Sequence, residues 1–251
     1  MVLARDVVGF ESRGPVHAVL LDGSTDIEAR AVLVASGVSY RRIDAPGLEG
    51  LVGRGLHYGA SASEASQTTG EDVYLVGAAN SAGQAALNFA RYAKRVVLLV
   101  RGATLEASMS QYLVSRLHAA TNVEVRLRTE VVAASGKDHL RTITLADRDT
   151  GTEEEVAASW LFVFIGAAPR TDWLGEGIAR DARGFVLTGP ELPAPADVGW
   201  TLERSPFALE TSVPGVFAAG DVRLDSMKRV ASAVGEGAMA VYLVHRYLAT
   251  V

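Results

Sequence analysis

Two features of the sequence predict an α/β protein built around a parallel sheet. Four short apolar runs, residues 31–35, 73–76, 160–165 and 216–219, each end at a glycine or turn residue. Such runs suit strands buried on both faces better than the alternation of a half-exposed sheet. The second run leads directly into GAANSAG (residues 77–83), and Ala82, Ala85, Ala86, Phe89, Ala90 and Ala93 then recur at helical spacing before another apolar run at 96–100. That succession is a βαβ unit. The chain's 251 residues amount to about 1.7 typical domains of ~150 residues, so one large domain or two modest ones fit.

The remaining elements follow in order. Residues 7–21 alternate like a hairpin, 27–35 read as one strand, and 37–50 form a loop with Pro46 and several glycines. A helix is predicted from about Glu106, with Met109, Tyr112, Leu113 and Leu117 on one core-facing side, leading to a strand at 123–127. Residues 129–155 read as a meander with turns at 136–138 and 147–151. The stretch 188–206, with four prolines and two glycines, is a long surface loop, and residues 229–248 form an amphipathic helix. Terminal pieces of similar style flank a complete βαβ domain, so one domain interrupts another: 1–52 plus 167–251, with 53–166 inserted.

Composition narrows the chemistry. Twenty-four basic against 29 acidic residues leave a net charge of -5, with no broad positive field for nucleic acid. There is no cysteine, which removes disulfides, thiolate nucleophiles and a dithiol relay, so redox chemistry would belong to a bound cofactor. No apolar run approaches the ~20 residues that span a bilayer, and no signal pattern follows Met1; a cytoplasmic protein away from membranes is expected. His17, His57, His118, His139 and His245 lack ligand spacing, so no metal site is expected. His57 is either a candidate for an acid-base role or a surface or inter-domain histidine. Trp160, Trp173 and Trp200 read as packing residues, with Trp173 also a candidate neighbour of a cofactor.

GAANSAG occupies the strand-to-helix position of a dinucleotide phosphate loop. Gly77 makes the tight turn, a small residue at Ala79 lets backbone approach a pyrophosphate, and Ala82 allows close helix–strand packing. Asn80 and Ser81 are natural caps of the helix, whose N-terminus favours an anion. Ala79 stands where the pattern has glycine; its methyl either displaces the pyrophosphate or is absorbed by a small loop shift. Arg101 lies 24 positions after Gly77, at the end of the second strand, where a basic residue pairs with the 2′-phosphate of NADP and an acid would select NAD.

Five ordered segments resemble the flavin-dependent, thioredoxin reductase-like branch of the pyridine nucleotide-disulfide oxidoreductases. They are VLVASG (32–37), GRGLHY (53–58), GAANSAG (77–83), FVFIGAAPRTDWL (162–174) and TSVPGVFAAGDV (211–222). The resemblance implies two three-layer (ββα), Rossmann-like FAD/NAD(P)-binding domains, with FAD and NADP(H) as cofactors. In it Gly166 belongs to the turn returning from the NADP(H) domain to the flavin domain. Asp221 would hydrogen-bond the flavin's ribitol, beside Gly220; Lys228, Arg229 and Val230 would begin the helix facing the isoalloxazine; and Ala35, Ser36 and Gly37 would lie along the adenosine or pyrophosphate half.

The chain departs from the family pattern twice. Gly59-Ala60-Ser61-Ala62 occupy the place of the family's Cys-x-x-Cys, so Gly59 and Ala62 stand where the two cysteines would be and no disulfide relay is expected. EASMSQYL (106–113) and KRVASAVGEG (228–237) look most like thiol-free relatives fused to cyclic-nucleotide-binding domains. The family's first βαβ unit would precede Val2, which leaves the flavin domain incomplete; the missing part is expected from a longer natural chain or from another polypeptide. The implied function is hydride transfer from NADPH to FAD and onward to a protein carrier or small acceptor. The alternative is a non-catalytic NADP(H)-binding or sensing module that has lost its flavin site, and a homodimer would bury the exposed edge.

Overall fold

The computed structural model of the protein describes residues 5–23, 25–59 and 62–251. The chain divides into two compact units, residues 1–39 with 167–251, and residues 40–166.

The outer unit begins with a three-stranded antiparallel sheet, β1 (Val7–Arg13), β2 (Val16–Leu21) and β3 (Thr25–Ala29). The single strand expected over 27–35 is broken at Arg30 and Ala31: β3 pairs with β2, whereas β4 (Val32–Val34) runs in a separate parallel pair. Next comes the short β5 (Val38–Tyr40).

The inserted unit holds β6 (Leu56–Tyr58), α1 (Ala62–Gln67), β7 (Asp72–Val76), α2 (Asn80–Phe89), β8 (Arg95–Val100), α3 (Gln111–Ala119), β9 (Val123–Leu127), β10 (Thr129–Gly136), β11 (Leu140–Asp147), β12 (Glu153–Ala157) and β13 (Trp160–Val163). Its five-stranded sheet has the order β6-β13-β7-β8-β9, with parallel pairing throughout. Side chains alternate across a strand, and here both sides are buried. Val73, Leu75, Val96, Leu98 and Phe162 meet Ala82, Ala86 and Phe89 of α2 and Leu113, Val114 and Leu117 of α3. Tyr74, Val76, Val97, Leu99, Leu161 and Val163 meet Val131 of β10 and Leu140, Ile143 and Leu145 of β11. The unit is therefore a ββα sandwich of meander, parallel sheet and helices.

Two expectations change here. The insertion begins at Tyr40 rather than Gly53, because Ala45, Leu48 and Leu51 are buried in the core under the meander and the Pro46 carbonyl accepts the Ala134 N–H at 2.9 Å. The helix expected from Glu106 starts at Gln111. Leu105 and Met109 remain buried in the preceding turns, while Tyr112 points to solvent.

The chain returns through β14 (Ala167–Pro169), paired with β5, then β15 (Val216–Ala218) and α4 (Val230–Leu248). β15 pairs in parallel with β4, matching Val216 to Val32 and Ala218 to Val34. Val34, Val216 and Ala218 pack with Leu174, Ile178 and Val186 on one side, and Phe217 and Ala219 pack with Ala240, Leu243 and Tyr247 on the other. The loop before β15 is anchored by Glu210, which is fully buried and accepts hydrogen bonds from Arg204 Nη1 and Nη2 (2.7 and 2.9 Å), Phe207 N and Gly215 N. The Arg204 guanidinium lies over the rings of Trp200, Phe207 and Tyr247. Along α4, Val230, Val234, Val241 and Tyr242 stay exposed.

Candidate functional site

In the inserted unit, the C-terminal ends of β7, β8 and β13 open a cleft of about 350 Å³ bordered by Gly77, Ala79, Ser81, Arg101, Ser108 and Gly166. Gly77 has φ +152°, and a Cβ there would stand 2.7 Å from the Phe164 carbonyl oxygen and 2.9 Å from the Ala82 methyl. Only glycine fits that turn without displacing backbone. Ala79 is the N-cap of α2 at φ -92°, ψ 176°, an extended conformation open to any residue, so the backbone at this point does not demand glycine.

Asn80 and Ser81 do not cap α2, which has no side-chain cap. Asn80 Oδ1 instead accepts the Ser110 N–H at 2.8 Å, and Ser108 Oγ donates to the Ala78 carbonyl at 2.8 Å, so the polar side chains brace the neighbouring loop. The first N–H groups of α2 keep their partial positive charge for an anion in the cleft. Arg101 is exposed on the border, and its guanidinium pairs with no carboxylate among the described residues. A pyrophosphate suits this combination of a Cβ-free turn, an uncapped helix start and an unpaired cation.

At the segment expected to replace the dithiol, Gly59 follows β6 at φ +83° and donates its N–H to the Val163 carbonyl at 3.0 Å. Ala60 and Ser61 lie outside the described residues, and Ala62 opens α1. His57 stacks on Phe162 and Trp160, with ring centroids 5.0 and 5.7 Å away, and its Nδ1 lies 3.7 Å from Glu64 Oε1. Burial pushes its pKa below the ordinary histidine value; the Glu64 carboxylate opposes this and His139 adds to it. Among the described residues no group of carboxylates and histidines is arranged to hold a metal ion.

In the outer unit, Leu33, Ala35, Gly37, Gly220, Asp221 and Arg229 border a cleft of about 280 Å³. Gly220 adopts φ +78° and donates its N–H to Glu236 Oε2 at 2.7 Å, while Glu236 also pairs with Arg223 at 3.1 Å. The sequence reading missed both charged residues. Asp221 borders the cleft, and its carboxylate has no hydrogen-bond donor among the described residues. Ser36 Oγ is committed to the Arg170 carbonyl at 2.7 Å, and Lys228 Nζ donates to the Asp221 carbonyl at 2.9 Å. Arg229 is the N-cap of α4, with Val230 its first residue and no side-chain cap. Trp173 Nε1 donates to the Arg170 carbonyl at 3.1 Å, and its ring packs against the outer unit's core. A cofactor carrying hydroxyls and phosphate suits the free carboxylate and the open helix start.

Comparison with known proteins shows the family and the fold. Residues 1–237 match the family model described as pyridine nucleotide-disulphide oxidoreductase. An alkyl hydroperoxide reductase polypeptide of Staphylococcus aureus (strain NCTC 8325 / PS 47) is 28% identical over 230 residues, covering 92% of this chain and 41% of that protein. The Pseudomonas putida protein of the same name is 32% identical over 232 residues, covering 91% and 40%. The chain thus spans about 41% of the length of the first of these curated relatives. Thioredoxin reductase from Streptococcus pyogenes MGAS5005 superposes with a TM-score of 0.77 at 26% identity, covering 98% of this chain and 74% of that one. The Giardia duodenalis thioredoxin reductase, at 22% identity, TM-score 0.78 and coverage of 98% and 75%, shares the fold. The architecture is the Rossmann-like FAD/NAD(P)-binding fold of these enzymes. By fold, ordered motifs and a match that runs from residue 1 to residue 237, the chain belongs to the pyridine nucleotide-disulphide oxidoreductase family.

Proposed function

We propose that this chain comprises the NADP(H)-binding domain and part of the FAD-binding domain of an NADPH-dependent flavoprotein oxidoreductase that works without a redox disulfide. The observation that carries the reading is the Gly77 turn with the uncapped start of α2 and the unpaired Arg101 beside it. Gly77, Ala79, Asn80, Ser81 and Ala82 would hold the pyrophosphate, Arg101 the 2′-phosphate, and Gly166 would leave room at the cleft's border. In the outer unit Asp221 would accept hydroxyl hydrogen bonds from the flavin's ribitol. Gly220 would keep the backbone close, the start of α4 at Lys228, Arg229 and Val230 would favour negative charge, and Ala35, Ser36 and Gly37 would line the far half. When bound, nicotinamide supplies a hydride and flavin accepts it, releasing electrons singly or as a pair. With Gly59 and Ala62 in the dithiol positions and no cysteine in the chain, the protein's part is positioning and electrostatics, and the acceptor is a carrier protein or a small molecule. The setting is cytoplasmic; among the described residues no helix is long and apolar enough to cross a membrane. The exposed apolar side of α4 would serve a homodimer contact.

Anaerobic addition of NADPH to the FAD-reconstituted protein tests this: flavin absorbance at about 450 nm should bleach. A protein that takes up flavin and NADPH without bleaching would refute it. A second reading, an NADP(H)-binding module that has lost its flavin site, predicts NADPH binding with no flavin retained.

A further inference from the structure

On the meander side of the same strand ends lies a second cleft of about 380 Å³, which shares Val76, Arg101 and Ile165 with the first and adds Arg42, Asp44 and Glu130. Arg101 therefore borders both clefts. Four arginines gather around this end of the unit, and two of them are neutralised: Arg128 pairs with Asp149 at 2.6 Å and Arg148 with Glu130 at 3.5 Å. Arg42, like Arg101, has no carboxylate partner among the described residues. Arg42 is also held in place. The N–H of Arg41 donates to the Gly166 carbonyl at 3.0 Å, and the N–H of Ile43 donates to the Tyr58 hydroxyl at 3.3 Å, so the backbone on each side is tied while Arg42 lines the cleft. With Glu130 offset by Arg148, the two free guanidinium groups outweigh the single carboxylate of Asp44.

We propose that Arg42 is a specificity-determining residue: with Arg101 it grips the 2′-phosphate that distinguishes NADPH from NADH. This rests on the reading that the inserted unit binds a nicotinamide dinucleotide. A phosphate monoester is nearly a dianion at neutral pH, and one arginine leaves half of that charge uncompensated. Two guanidinium groups from separate segments match it, and Val76 and Ile165 beneath them offer an apolar floor for the adjoining base. NADH, lacking the phosphate, gains little from the second cation.

The test is fluorescence titration of the full chain with NADPH and with NADH, using 2′-AMP as a competing probe. Arg42→Gln should weaken NADPH about tenfold while changing NADH by less than about twofold, and 2′-AMP should compete less well. Arg42→Lys, which keeps the charge, should retain most of the NADPH preference. Unchanged NADPH affinity, or equal weakening of both nucleotides, would overturn the role of Arg42 while leaving the parent reading intact. A wild-type chain that binds neither nucleotide would overturn both.

Discussion

Gly77→Ala is the sharpest single test of the phosphate turn. The new Cβ would stand 2.7 Å from the carbonyl oxygen of Phe164, a backbone atom that cannot rotate aside, and 2.9 Å from the Ala82 methyl, at a φ of +152°. Holding a side chain in such a conformation costs about 1–3 kcal/mol, and forcing extra volume into packed surroundings about 1–3 kcal/mol more. Part of each is shared, since one shift of the loop relieves both, so about 3 kcal/mol is the working figure. In urea, with a slope of roughly 2 kcal/mol per molar, the unfolding midpoint should fall by about 1.5 M. The relieving shift deforms the loop that borders the cleft, so NADPH affinity should fall at least tenfold, or about 1.4 kcal/mol. Urea unfolding followed by tryptophan fluorescence, with NADPH titration of the same sample, reads both numbers. A midpoint within about 0.3 M of wild type, with NADPH affinity intact, would refute the claim that the turn requires glycine.

Three further outcomes are expected. Arg101→Glu should weaken NADPH binding by about tenfold or more and move the preference toward NADH, because a carboxylate repels a 2′-phosphate and accepts ribose hydroxyls; an unchanged NADPH-to-NADH ratio in competition titrations would contradict this. Glu210→Ala should cost about 3–5 kcal/mol by leaving the half-buried guanidinium of Arg204 and the Gly215 N–H without their acceptor, and a wild-type melting temperature would remove the anchor role. His17 is buried, with Nε2 3.0 Å from the Pro214 carbonyl; burial lowers its pKa from 6.5 and the Pro214 hydrogen bond only partly offsets this. The unfolded chain therefore takes up a proton first, so this stability is present above about pH 6.5 and is lost as pH falls toward the folded value. His17→Gln should flatten the melting temperature over that range, and identical profiles for the two proteins would sink the assignment.

The Gly77 turn was legible because its demands are local: a glycine after a strand, small residues behind it and a helix start ahead. The central strands were legible because burial on both faces removes polar residues from 73–76 and 96–100 alike. The break at Arg30 and Ala31 was not, since residues 25–34 carry one strand-like composition and the choice of partner, β2 for one half and β15 for the other, is made by distant segments. Helix α3 starts late for a similar reason: the Ser110 N–H is taken by the side chain of Asn80, thirty residues earlier. Glu236 on a helix reads as a solvated charge until the fold brings Gly220 and Arg223 to it. Arg42 looks like an ordinary loop cation until Arg101 is placed on the same cleft.

The way the insertion is tied at its ends carries a consequence for how the molecule is made. β4 and β15 are partners, matching Val32 to Val216, so the outer unit cannot close its parallel pair until most of the chain has been synthesised. The inserted unit contains all five strands of its own sheet and can form while the rest is still emerging. Once formed, it brings residues 41 and 166 within one hydrogen bond, Arg41 N–H to the Gly166 carbonyl at 3.0 Å. The ~180 residues between β4 and β15 then count for closure as roughly 60, the flexible length outside the insert, which lowers the closure cost by about 1 kcal/mol. Early folding of the insert thus acts as an internal clamp that lowers the barrier to the late pairing of β4 with β15.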